Sequence, residues 1–281
     1  MAYKTPKAIA EAACGAACAK TALSSSKQIV LGFLAGAFIA FGGLLAIVVG
    51  KGSTIFAQPE FAGLGKFVFG GVFPVGLMLV IIAGAELFTG NCGVIPTGCL
   101  SKQTSWTGLL RNWGFVYLGN FIGSVFVALF IAYWTGIVNG GGLGEAAAAI
   151  AEGKVALTWG QAILRGIGCN WLVVLAVWMA IGADDIGGKI LAIWFPIMAF
   201  VAMGLEHSIA NMFFIPLGML NGANVSIGQF LFSNLLPVTI GNIIGGAVFV
   251  GAAYWWIYLR EEAPAPSASP AKGKAQLAKA K

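Results

Sequence analysis

Two apolar runs in this chain are too long for a single membrane crossing, and both are broken inside by the same layout of residues. The run at 67–100 is interrupted at Glu86-Leu87-Phe88-Thr89-Gly90-Asn91-Cys92-Gly93, and the run at 188–219 at Gly204-Leu205-Glu206-His207-Ser208-Ile209-Ala210-Asn211. One crossing takes about 20 apolar residues. Backbone that leaves the helix at membrane depth survives only when it is buried in protein or lines a water-filled cavity. Both breaks must therefore point inward, and the chain must fold as a helical bundle around them.

Composition agrees. The chain is 59% hydrophobic and 9% charged, against roughly 25% charged in soluble domains. Apolar runs at 29–50, 67–100, 108–137, 158–182, 188–219 and 229–259 predict an all-α integral membrane protein of six transmembrane helices, the second and fifth of them broken. The first 28 residues lack the apolar core of a cleavable signal peptide. The formal charge of +6 does not point to nucleic acid, because the basic residues sit at the ends and in short loops. Five cysteines, Cys14, Cys18, Cys92, Cys99 and Cys169, form no C-x-x-C pair and read as free thiols or small packing residues. No metal or cofactor is expected, and no catalytic residues are assigned; the chain does not read as an enzyme.

The two halves repeat. At an offset of 120, Glu86 falls on Glu206, Asn91 on Asn211 and Pro96 on Pro216. At an offset of 122, Asn112 falls on Asn234, Gly119 on Gly241, Asn120 on Asn242 and Gly123 on Gly245. Repeats of about 29–137 and 158–259 hold three spans each, and an odd number inverts the second copy. The expected architecture is an inverted repeat with its site near the bilayer midplane. The paired glycines read as places where helices approach closely.

At each break, half-helix ends are expected to leave backbone N–H and C=O groups facing inward. Thr89 and His207 are the polar side chains best placed to meet a small solute there. His207 is the only side chain whose ordinary pKa, about 6.5, lies near physiological pH, and an ionisable group inside a membrane marks a functional site by default. It is a candidate proton donor to a weak-acid anion. A pore for anions should not be lined by carboxylates, so Glu86 and Glu206 read as structural, facing away and tying loops or neighbouring helices through backbone N–H groups, with Asn91 grouped beside them. Asn211, Asn170 and Lys154 complete the candidate pathway, although Lys154 alone could be a solvated loop charge.

Thr5-Pro6 starts a short amphipathic helix within residues 1–28, read as a surface anchor, with a gate beneath the pore as the alternative. The segment 261–281 is Ala/Pro/Ser/Lys-rich and is expected to be a disordered basic tail. With the N-terminus inside, twelve Lys and Arg lie on the inner side and four, Lys51, Lys66, Lys154 and Arg165, on the outer. The positive-inside rule places both termini in the cytoplasm and the chain in the plasma membrane.

The chain resembles the formate/nitrite transporter family over about residues 25–260. The resemblance rests on Gly84-Ala85-Glu86-Leu87-Phe88-Thr89, Tyr117-Leu118-Gly119-Asn120, Gly204 through Met212, and Pro237 through Gly246. Phe38 through Gly43, Gly90-Asn91-Cys92 and Gly168 through Val173 look most like formate-uptake members found beside formate dehydrogenases. The resemblance implies an aquaporin-like protomer with its own pore, a homopentamer, and formate or a similar small monovalent anion carried with protons. It also implies residue roles. Phe73, Leu77 and Phe200 match an inner hydrophobic constriction; Leu87, Phe88 and Val173 match an outer one. Thr89 matches the family threonine on the first break and His207 the central histidine, and Lys154 and Asn170 match the polar partners that attract the anion and steady the histidine. Nitrite, hydrosulfide, acetate and lactate remain open as solutes. A redox-enzyme membrane anchor lacks a second histidine for haem. A water or glycerol channel would carry paired Asn-Pro-Ala motifs, and here the breaks read Thr89-Gly90-Asn91 and Ile209-Ala210-Asn211.

Overall fold

The computed structural model describes residues 3–260 except Gly141; the segment 261–281, read above as a tail, lies outside the described residues. Among the described residues, and apart from a short 3-10 helix at Thr54–Ala57, the helices fall into two sets of five. The first set is α1 (Pro6–Ala22), α2 (Ser25–Lys51), α3 (Pro59–Gly84), α4 (Phe88–Leu100) and α5 (Trp106–Tyr133). The second is α6 (Leu143–Val155), α7 (Trp159–Gly182), α8 (Ile186–Ala202), α9 (Ser208–Leu220) and α10 (Gln229–Tyr258). Among the described residues, α2, α3, α5, α7 and α10 are long and apolar enough to cross a membrane, and α8 with α9 supply two shorter apolar helices. The six expected passes are thus α2, α3 with α4, α5, α7, α8 with α9, and α10.

Local chemistry sets the helix ends. Ser24, Ser105 and Asp185 cap α2, α5 and α8 by accepting from Lys27, Gly108 and Gly188 N–H, and Thr158 closes a capping box with Gln161 at α7. α3 ends at Gly84 with φ +91°, and the break after α8 turns at Gly204 with φ +72°, backbone that a side chain would strain. Lipid tails are as apolar as leucine, so helices associate here by close packing of small residues. In the first repeat, Gly32 and Gly36 on α2 meet Gly119 and Asn120 on α5, and Gly123 meets Phe33 and Ala37; a Cβ on Gly32 would stand 2.8 Å from the Val116 carbonyl oxygen. In the second, Gly166 on α7 meets Val238 and Gly241 on α10, and its Cβ would stand 2.8 Å from the Val238 oxygen.

The repeats begin earlier than the sequence offsets indicate. α1 and α6 are equivalent helices that open each set, so the segment before α7 is part of the second repeat rather than a linker. α1 is also more than a surface anchor. Its Ala10, Ala13, Cys14 and Ala17 are fully buried, and Ala17 packs where a Cβ on Gly98 of α4 would go. Lys4 N–H donates to the Gly182 oxygen (2.9 Å), and the Lys4 ammonium pairs with Asp184 at 2.6 Å, fixing the start of the chain to the turn between α7 and α8.

Candidate functional site

The two breaks are held by one hydrogen-bond frame used twice. Glu86 N–H donates to the Leu31 carbonyl and Glu206 N–H to the Arg165 carbonyl, both at 3.3 Å or less. Phe88 N–H donates to Asn120 Oδ1 (3.0 Å), and Ser208 N–H to Asn242 Oδ1 (2.9 Å). Asn120 Nδ2 donates to the Gly32 and Glu86 oxygens, and Asn242 Nδ2 to the Gly166 and Glu206 oxygens, at 2.8 to 2.9 Å. These bonds take up part of the backbone of each break, as burial requires. The expectation of free N–H groups is narrowed by them: those of Glu86, Phe88, Glu206, Ser208 and Ala210 have protein partners.

The buried carboxylates do not face away from the interior, since Glu206 and Glu86 each line a cavity, and their partners are not the expected backbone N–H groups. Glu86 accepts from the Lys20 ammonium (2.8 Å) and from Asn91 Nδ2 (2.8 Å); Glu206 accepts from Lys154 (2.9 Å), Asn211 Nδ2 (2.6 Å) and Asn234 Nδ2 (3.2 Å). Asn91 and Asn211 also donate to Asn112 and Asn234 Oδ1. A buried carboxylate needs a paired cation and filled lone pairs, and side chains rather than backbone N–H groups supply them. Lys154 is accordingly an ion-paired, largely buried side chain, its ammonium 5.6 Å from the centre of the Phe214 ring. Lys20, its counterpart on α1, was missed as a site residue.

The frame is symmetric, and the side chains that differ between the copies make the site. His207 occupies the N-cap of α9, where Leu87 stands at α4. Its Nδ1 accepts from Ala210 N–H (3.1 Å) and its Nε2 lies 2.9 Å from Thr89 Oγ1, on the first turn of α4. The N-terminal ends of α4 and α9, each the positive end of its helix dipole, meet through this contact. With Nδ1 occupied as an acceptor, the neutral ring carries its proton on Nε2 and donates to Thr89. The Phe200 ring stacks on the imidazole at 5.8 Å. Asn170 Nδ2 donates to the Thr89 carbonyl (3.0 Å) and the Asn242 carbonyl (2.6 Å), bracing the first break against α10; among the described residues its buried Oδ1 has no partner, and neither does Asn211 Oδ1.

Two cavities approach this point. One, of about 390 Å³, is lined by Lys51, Lys66, Phe69, Phe73, Lys154, Phe200, Glu206, His207, Asn211 and Phe214. The other, of about 380 Å³, is lined by Ala16, Lys20, Leu31, Leu77, Val80, Glu86, Leu87, Asn91 and Val177, among others. Between them a void of about 10 Å³ is walled by Ile39, Phe73, Leu77, Leu87, Val173, Ile197, Phe200 and His207. The expected constrictions are redrawn accordingly. Phe73 and Phe200 belong with the Lys154 cavity, the end that the charge bias assigns to the outside, and Leu77 and Leu87 with the Lys20 cavity. Phe88 lines none of these spaces; its ring packs on Trp113 and Tyr117 at 5.8 and 4.8 Å. Thr89 and Asn170 are fully buried behind the histidine rather than on a cavity wall. Ile39 and Ile197 join the neck, and only their position opposite the breaks, invisible in sequence, marks them.

Two open cavities that end on one apolar neck beside paired half-helix breaks define a multi-pass membrane transport protein with an inverted repeat. The formate/nitrite transporter family model matches residues 7–256, and the chain belongs to that family. It is 55% identical over 273 residues to a probable formate transporter of Methanothermobacter thermautotrophicus, covering 92% of this chain and 98% of that one. Among solved structures it is similar to an FNT family ion channel, with TM-score 0.80 and 32% identity over 89% of this chain and 98% of the other. It is also similar to a pentameric formate channel with formate bound, with TM-score 0.71 and 36% identity over 84% and 98%.

Proposed function

We propose that this chain carries formate across the plasma membrane, each protomer of a homopentamer having its own pore and both termini lying in the cytoplasm. The observation that carries the reading is the pair of cavities meeting at the neck beside His207. The relatives named for formate, and the pentameric neighbour, support the solute and the assembly. The charge bias supports the orientation.

The chemistry follows from the walls. A bare anion would lose its hydration in a ring of Phe73, Leu77, Leu87, Val173 and Phe200 with nothing to replace it, a large cost. Lys154, ion-paired with Glu206, is the cation the anion meets on one side of the ring. At the neck formate takes up a proton and crosses as formic acid; on the far side it releases the proton to water, so one formate and one proton move together. His207 is the proton-handling group and Thr89 its partner. A neutral ring that gave up its Nε2 proton would be left an imidazolate, so the donor is the imidazolium, formed when the ring turns away from Ala210 N–H. Asn170 positions Thr89 through its carbonyl, Asn211 lines the Lys154 cavity, and Glu86, Glu206 and Asn91 hold the breaks. The solute passes without chemical change.

The test is uptake into proteoliposomes between pH 5 and 8, comparing formate with nitrite, hydrosulfide and glycerol. Formate uptake that an inward proton gradient accelerates is the expected result. Faster nitrite or hydrosulfide flux would move the solute within the same family, and glycerol flux without formate flux would refute the proposal.

A further inference from the structure

The two cavities carry different charge at their mouths. The Lys20 cavity holds one cation, Lys20, neutralised by Glu86 at 2.8 Å. The Lys154 cavity holds three cations and one carboxylate. Glu206 is taken by Lys154. Lys51, the last residue of α2, and Lys66, on α3, are both exposed, and neither has a carboxylate within ion-pair distance among the described residues. The other carboxylates of that end, Glu60, Glu145 and Glu152, do not line the cavity. Below the two lysines the wall turns aromatic: Phe69 stacks on Phe214, Phe214 on Phe73, and Phe73 meets Phe200 edge-on, at 5.9 to 6.3 Å. Like charges in a cleft with low-dielectric walls focus the field and raise the local concentration of counter-ions.

We propose that Lys51 and Lys66 form an anion-collecting mouth that steers small monovalent carboxylates into the Lys154 cavity, with no equivalent at the Lys20 cavity. The proposal rests on the permeation reading above and adds a sidedness to it. Passive low-concentration permeability is the same in both directions, so the direction of flux cannot reveal the mouth. Screening can, because salt on one side quenches only the field on that side. Both lysines are exposed, so exchanging them leaves the fold intact, and Lys51→Arg/Lys66→Arg keeps the charge.

The experiment measures formate entry at sub-saturating concentration into right-side-out and everted membrane vesicles, with an impermeant external salt raised from about 10 mM to 0.5 M and osmolarity balanced by sucrose. Across that range the screening length falls from about 30 Å to roughly 4 Å. In the orientation that exposes Lys51 and Lys66, wild-type permeability is expected to fall about fivefold, and in the other less than twofold. Lys51→Gln/Lys66→Gln should lower low-salt permeability in both orientations by a similar factor and abolish the one-sided salt response, which the double arginine variant restores. Equal salt response from both sides, or a glutamine variant that keeps the wild-type response, overturns the mouth while leaving permeation standing. Wild-type vesicles that pass no formate in either orientation would overturn the permeation reading itself, and the mouth with it.

Discussion

At the first break the N-cap of the following helix is Leu87; at the second it is His207. Around these two positions nearly everything else is duplicated: the left-handed glycine, the glutamate with its lysine and asparagine, and the asparagine that takes the first helical N–H. The comparison separates two jobs that occupy the same few residues. Holding backbone open at membrane depth is a general problem, and both copies solve it the same way. On the proposed function, meeting a solute is needed once, at the place where the two breaks touch, and there the copies diverge. Leu87, Phe88 and Thr89 stand opposite His207, Ser208 and Ile209. The cavity walls diverge as well, aliphatic beside Leu87 and aromatic beside His207.

If the frame is symmetric, equivalent cuts must cost alike. The largest effect belongs to the carboxylates. Glu206→Leu leaves the Lys154 ammonium buried without its partner, and Glu86→Leu does the same to Lys20; each should cost about 3–5 kcal/mol of stability, read from detergent-titrated unfolding. The loss at Glu206 should be the larger, since Lys154 is less exposed than Lys20, 16% against 23%. Costs that differ by several kcal/mol would end the claim of one frame used twice. Next come Asn120→Ala and Asn242→Ala, each stripping three buried backbone partners, at about 2–3 kcal/mol apiece. Thr89→Val breaks the symmetry instead. It removes the partner of His207 Nε2, with an expected stability cost of about 1–2 kcal/mol and a loss of flux, whereas Ile209→Val on the other copy should alter flux little.

The smallest effect lies at the chain start. The Lys4 ammonium beside Asp184 holds that carboxyl below the usual carboxylate range. A lowered folded value means the pair's stabilisation is present above the ordinary carboxylate pKa, about 4, and disappears as pH falls through the folded value. Hydrogen exchange in the first turn of α1 should therefore quicken only below about pH 4, and Asp184→Asn should give the quickened rate at neutral pH. Unchanged exchange in that variant would show that packing of α1, rather than the ion pair, fixes the helix.

Much of this was legible in the residues. The breaks announced themselves as polar interruptions in runs too long for one crossing, and Glu86, Asn91, Asn120 and their partners aligned at offsets of 120 and 122. What stayed hidden was the start of each repeat. Before the breaks the equivalent residues are 134 apart, Lys20 with Lys154 and Leu31 with Arg165, because α2, α3 and the connection between them are longer than their counterparts in the second copy. A comparison at fixed offset could not see across that change, so α1 read as an anchor and Lys20 as one of many inner charges. The grouping of the constriction failed for a related reason. Phe73 and Leu77 are four residues apart on one helix, yet the neck lies between them and sends each to a different cavity. Phe88 neighbours both Leu87 and Thr89 in sequence, but the first turn of α4 carries its ring away toward Trp113 and Tyr117.

The central claim is that the frame is shared and the solute chemistry belongs to the His207 copy. His207→Leu tests it most directly, because it gives both breaks the N-cap that one of them already tolerates. In proteoliposomes the account predicts a folded protein of unchanged assembly whose formate flux falls by about 100-fold or more, the scale of losing a positioned acid, with the remainder independent of pH between 5 and 8. A variant that carries formate at the wild-type rate with the wild-type pH profile would contradict it.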